Sequence, residues 1–235
     1  DVRKTAVFRH IQKDPQQTIF VDLLSWQFMQ QKEYDQALNQ ALSLSRRQND
    51  DGNSIYELCQ TLIADEAYDA AIRGYQYIID KGKGQPLYVP AKIELINTKN
   101  LLVTTGKYTQ ADLLSLEKDY NDLLAEFGKT ASTIFAMQRL AKLEAFKLHK
   151  LTDAQKLLED AIAIPDIKAG PLASCKLDLG DVYMLNGQRW EATLLYEQVE
   201  TNHPGTAIAQ EAKLRDARLA YYFGDFKWAK GQLDV

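Results

Sequence analysis

The chain has only two cysteines, Cys59 and Cys175, in 235 residues. They lie too far apart, and are too few, for a disulfide framework or a metal knuckle. Twelve glycines and six prolines make about 8% of the chain against a usual ~12%, which disfavours turn-dense all-β folds. No run approaches the ~18 consecutive apolar residues that a membrane-spanning helix needs. Neither charge sign dominates: 28 Lys and Arg stand against 32 Asp and Glu, a net charge of −4. Such a balance offers little attraction to nucleic-acid phosphates or anionic lipid, so no nucleic acid and no membrane insertion are expected.

Catalytic signals are equally scarce. The three histidines, His10, His149 and His203, sit in three separate segments, and none has a cysteine or second histidine at ligand spacing. There is no GxSxG, HExxH, GxxxxGK[ST] or GxGxxG. The stretch DKGKGQP at 80–86 lacks a preceding buried strand and a GK[ST] ending, and reads as a linker. Carboxylate pairs such as Asp65–Glu66 and Glu159–Asp160 read as solvated helix ends. The expectation is a protein that is not an enzyme, with no cofactor and no metal site.

What is present is a repeat. KEYDQAL at 32–38, EAYDAAI at 66–72 and GKYTQAD at 106–112 each place an aromatic three residues before alanine. LTDAQKL at 151–157, GQRWEAT at 187–193 and GDFKWAK at 224–230 extend the series to Ala37, Ala71, Ala111, Ala154, Ala192 and Ala229. Each recurrence lies between two segments of helical period. Val21, Leu24, Phe28 and Met29 precede the first, and Ala37, Leu38, Ala41 and Leu44 follow it. A helix, a short tip and a second helix make an antiparallel hairpin, and the alanines mark close helix crossings. The six prolines (Pro15, Pro86, Pro90, Pro165, Pro171, Pro204) are expected between hairpins, because an interior proline costs ~3 kcal/mol.

These residues resemble the tetratricopeptide-repeat family. Its pattern pairs leucine with a small residue, then an aromatic, a glycine-bearing tip, and alanine in the second helix. Leu179–Gly180, Tyr183, Gly187, Ala192 and Tyr196 match it best; Leu24–Ser25 and Leu58–Cys59 supply the pair in the first two repeats. Cys59 thereby takes a small-residue slot, and both cysteines read as buried small hydrophobes. In the third and fourth repeats Thr98–Lys99 and Ala141–Lys142 stand where the pair should be. The resemblance implies an all-α, right-handed superhelical solenoid of about six hairpins. The repeats span about 18–48, 52–82, 88–127, 132–164, 171–203 and 206–235, as a single array after a partial unit at 1–15. That partial unit, FRHIQKDP closing on Pro15, reads as a lone second helix. With the short end GQLDV it suggests a piece of a longer protein.

In this family the first helix of each hairpin lines a concave face that holds peptides or partner helices. Carried across, the lining is Asp22, Trp26 and Met29; Tyr56, Gln60 and Ile63; Ile96, Asn100 and Val103; Arg139, Leu143 and Phe146; Leu177, Asp181 and Met184; Leu214, Arg218 and Tyr221. Apolar members are also what would pack against a neighbouring helix; the aromatics and arginines are the stronger contact candidates. Asp22 and Tyr56 stand where family members that clamp chaperone carboxylates use lysine, which disfavours that role. The implied function is a protein- or peptide-binding scaffold. The alternative is a recruiting or regulatory arm of a larger enzyme or envelope assembly. Residues 179–230 are similar to repeats of bacterial cell-envelope proteins, which favours a periplasmic setting over a cytoplasmic one. Self-association through exposed array ends is a further expectation.

Overall fold

The computed structural model describes residues 5–7, 9, 10 and 19–233. Apart from Arg9 and His10, the expected closing helix at 8–15 lies outside the described residues. From residue 19 onward, twelve helices follow one another and no strand occurs among the described residues. They are α1 (Ile19–Gln30), α2 (Tyr34–Gln48), α3 (Asn53–Ala64), α4 (Tyr68–Asp80), α5 (Tyr88–Thr104) and α6 (Gln110–Phe127). They continue as α7 (Ile134–Phe146), α8 (Leu151–Ile162), α9 (Ala169–Leu185), α10 (Arg189–Asn202), α11 (Ala207–Tyr222) and α12 (Phe226–Leu233). The chain divides into two compact bodies, residues 1–112 and 113–235, with α6 crossing the division. In the first body each helix from α1 to α5 packs on the next. In the second, α7 to α12 do the same, and the odd-numbered α7, α9 and α11 also touch in sequence.

Two local rules build each hairpin. The first concerns the tip. A residue with left-handed backbone precedes the second helix by two: Lys32, Glu66, His149, Gly187 and Gly224. Glycine meets this at no steric cost, whereas Lys32, Glu66 and His149 (φ 57–60°) hold it with a side chain. The second rule is a buried alanine at the fourth position of the second helix: Ala37, Ala71, Ala154, Ala192 and Ala229. The third hairpin departs from both. Its left-handed residue, Gly106, lies four before α6, so Ala111 is exposed and Leu113 is the buried fourth residue.

The first helices cross at small side chains. Gly180 lies beneath the Tyr196 ring, and Gly74 beneath the Cys59 sulfur, so the same close approach is solved once with glycine on the first helix and once on the second. Tyr75 and Tyr196, both fully buried, occupy the eighth position of α4 and α10. Each bonds its own first helix: Gln60 Nε2 donates to Tyr75 Oη at 2.7 Å, and Tyr196 Oη donates to Asp181 Oδ1 at 2.8 Å. Both cysteines are buried and free, as read from the sequence, and burial pushes each thiol up to about 12.

Two sequence expectations are corrected. In the third and fourth repeats the buried small residues are Thr98 and Ala141, not Lys99 and Lys142. The fourth tip (147–150) is one residue longer than those of the first, second, fifth and sixth repeats, which moves the slot back by one and restores a Leu140–Ala141 pair. Thr98 fits by turning its hydroxyl to the Glu94 carbonyl at 2.7 Å. Pro90 and Pro171 lie inside helices rather than between them, each as the third residue of α5 and α9. The first-turn N–H has no intrahelical acceptor, so proline loses no bond there.

Gly180→Ala is expected to cost about 1–3 kcal/mol, because the added methyl overlaps the Tyr196 ring. Gly170→Ala, in an open first turn of α9, is expected to be neutral or to gain up to about 1 kcal/mol. Urea unfolding of the two variants checks this contrast. Native protein should leave both thiols unreacted with an aromatic disulfide at pH 8, and both should titrate once the chain is unfolded.

Candidate functional site

In the first body α1 and α3 enclose an open cleft of about 430 Å³. Among the described residues its lining carries three carboxylates (Asp22, Glu57, Asp65) and no basic side chain. Met29 forms part of the floor, almost wholly buried, and Trp26 stands at the rim with 60% of its surface exposed. Burial first, and the Glu57 charge second, raise the Asp22 carboxyl above its usual range. Of the remaining lining candidates of this body Gln60 is exposed and the others are partly or wholly buried. Tyr56 sets its ring edge-on to Tyr75 at 5.5 Å, and Gln60 is bonded to the same tyrosine. Ile96 and Val103 are core residues, and Asn100 is half-buried.

In the second body a ladder of ion pairs joins the three first helices. Lys142 Nζ of α7 lies 3.0 Å from Asp178 Oδ1 of α9, and Gln138 Nε2 donates to Asp178 Oδ2 at 3.2 Å. One step on, Asp181 of α9 receives Arg215 of α11 at 2.8 Å. Arg215 also lies 3.5 Å from Asp178 and is held by Glu211 of its own helix at 2.7 Å. Asp178 is 3% exposed, so its charge depends on these partners. Asp181 is raised by burial, against the pull of Arg215 and the Tyr196 hydroxyl. Of the sequence candidates, Asp181 belongs to this ladder, and Met184 packs beside it on the Leu177–Tyr196 core. Arg139 is exposed with its guanidinium 5.8 Å over the Phe135 ring, Leu143 is buried, and Phe146 is exposed. Leu214, Arg218 and Tyr221 lie together on an open apolar face with Phe226 and Leu233.

A third feature is a buried acid. Glu144 of α7 borders a cleft of about 340 Å³ with Asn121, Lys129, Asp153 and Lys156, and its Oε2 is sealed without a hydrogen-bond partner. Burial, then the charges of Glu117 and Asp153, push this carboxyl up to about 7, against Lys150 and Lys129. Lys150 is committed to Glu117 at 2.5 Å. Among the described residues no three His, Cys, Asp or Glu side chains are placed to share a metal ion, and no helix is long and apolar enough to cross a membrane.

No protein-family model matches the chain, and no curated protein matches it. Solved structures do. A Q17M crystal structure of Podosopora anserina putative kinesin light chain nearly identical TPR-like repeats superposes with a TM-score of 0.62 at 18% identity, over 77% of this chain and 90% of that one. A tetratricopeptide repeat protein from Parabacteroides merdae gives 0.62 at 14% identity, over 92% of this chain and 77% of that one. PilW, a type IV pilus biogenesis factor, gives 0.54 at 14% identity, over 78% of each chain. The fold is that of a tetratricopeptide-repeat solenoid.

Set in the tetratricopeptide register, the shifted slots at Thr98 and Ala141 move the lining of those repeats by one residue as well. The position after the small residue is then Lys142 in the fourth repeat, Asp181 in the fifth and Arg218 in the sixth. Lys142 was missed because a one-residue tip insertion is invisible to a spacing measured from alanine to alanine, and Asp178 and Arg215 because they lie two before their slots, a position the lining pattern does not include. A signal existed in LAKLEAF, whose Leu140–Ala141 pair is intact one position earlier. Glu144 carried no signal, since an acid on a helix normally reads as solvated.

Glu144 gives the molecule a pH dependence of definite sign. The folded protein holds its proton between the ordinary range near 4.5 and about 7, where the unfolded chain releases it. Stability therefore falls as pH rises through that window, by on the order of 2–3 kcal/mol. Glu144→Gln keeps the side chain neutral, so it should match wild type at pH 5 and exceed it at pH 8 in urea unfolding.

Proposed function

We propose that this chain is a non-catalytic protein-binding scaffold whose first-helix faces hold extended segments of other proteins. The observation that carries the reading is the α1–α3 cleft. Among the described residues an exposed indole stands beside three carboxylates with no cation in the cleft, and a basic side chain of a bound segment would supply one. Lysine or arginine set against Trp26 gains a cation–π contact and, from Asp22 and Glu57, charge-assisted hydrogen bonds. Met29 supplies the apolar floor. The solenoid likeness supports the reading at the level of fold. The segment recognised at this end is a basic one, and Trp26 is its principal anchor.

Peptide display selected against the full chain should enrich sequences carrying Lys or Arg next to an apolar residue. Trp26→Ala is expected to weaken the selected peptides by about 2 kcal/mol, roughly thirtyfold, as loss of a central aromatic anchor does. Asp22→Asn with Glu57→Gln should weaken them further at low salt than at high salt. Enrichment of acidic sequences, or equal binding by the Trp26→Ala protein with unchanged circular dichroism, would sink the proposal.

A further inference from the structure

The ion-pair ladder of the second body follows a positional rule. The residue after the small slot of one first helix meets the residue two before the slot on the next. Lys142 follows Ala141 and meets Asp178, which is two before Gly180. Asp181 follows Gly180 and meets Arg215, which is two before Ala217. The polarity reverses at each step, cation to anion and then anion to cation. The next residue in the series is Arg218, after Ala217; it is exposed and makes no ion pair among the described residues.

The surface around Arg218 is the counterpart of one already covered in the fifth repeat. With α12 beginning 37 residues after α10 (226 − 189), Leu214 corresponds to Leu177, Arg218 to Asp181, Ala229 to Ala192 and Leu233 to Tyr196. In the fifth repeat α11 covers this face, so Leu177, Ala192 and Tyr196 are at most 2% exposed. In the sixth the same positions form an open apolar depression of about 570 Å³, with Leu214 52% and Leu233 60% exposed. Tyr221, edge-on to Phe226 at 5.4 Å, adds to it, and among the described residues the charges in its lining are the cations Arg218 and Lys230.

We propose that this α11–α12 face is a docking site for an amphipathic helix of a partner protein, one that sets a carboxylate against Arg218. The fold states the shape of the occupant, because the equivalent face is filled by a helix. The ladder states its charge, because Arg218 stands where Asp181 accepts an arginine. An apolar stripe of small residues and leucine, like that of α11 (Ala209, Ala212, Leu219), fits against Leu214, Ala217 and Leu233. An Asp or Glu at the place of Arg215 completes the ladder, and Lys230 favours a second carboxylate nearby.

The test uses two hydrocarbon-stapled peptides with the sequence of residues 207–222, one native and one with Arg215→Glu, both confirmed helical by circular dichroism. Binding to the full chain is read by fluorescence anisotropy. The Glu peptide should bind wild type roughly tenfold more tightly than the native peptide, and an Arg218→Asp protein should reverse that order. Leu214→Glu should abolish binding of both. Equal affinity of the two peptides, no binding of either, or a preference unchanged by Arg218→Asp would overturn the proposal. Sedimentation of the chain alone addresses the other occupant: a dimer lost in Leu214→Glu would assign the face to a second copy and overturn the choice of a partner helix.

Discussion

The closest contact in each hairpin is the one on which the polar architecture hangs. Where Gly180 admits the Tyr196 ring, the two helices approach until the phenol reaches Asp181 on the helix it packs against. That bond fixes one carboxylate oxygen and leaves the other for Arg215 of the following repeat. A methyl at residue 180 would lift the ring and, through it, misplace the acid that links two repeats. Packing and electrostatics are therefore not separable here. The small residue sets the helix spacing, the spacing sets the tyrosine, and the tyrosine orients the charge.

The two bodies treat charge in opposite ways. In the second, Asp178, Asp181, Lys142 and Arg215 answer one another across three helices, so the charges are spent on holding repeats in register. In the first, Asp22, Glu57 and Asp65 share a cleft that contains no cation among the described residues. Burial first, and the neighbouring Glu57 charge second, raise the Asp22 carboxyl, so keeping it ionised there costs the fold rather than stabilising it.

Much of this was legible in the residues. The recurring alanine falls at the fourth position of five of the six second helices, because the buried alanine and the left-handed tip are both tied to the helix start. It failed at Ala111 and at the slots near Lys99 and Lys142, where the third and fourth tips are longer and the spacing absorbs the extra residues silently. The proline expectation was right about interiors and wrong about first turns, where Pro90 and Pro171 take up N–H positions that need no acceptor. Lining residues were legible only as helix faces. Which of them end in the core, as Met29 and Leu177 do, depends on the neighbouring helix, and so on contacts that no single hairpin encodes.

The reversing polarity of the ladder also bears on how such an array can change its length. Suppose the fifth repeat were copied in tandem. Asp181 of the original would then face Asp178 of the copy, acid against acid in a nearly dry site. A copied fourth-and-fifth pair would instead set Asp181 against Arg139, the residue two before Ala141, and so keep a cation opposite the acid. The repeats of the second body are therefore alike in backbone yet not interchangeable: growth or loss of a single repeat is opposed by a parity written in four side chains, whereas copying a pair keeps it.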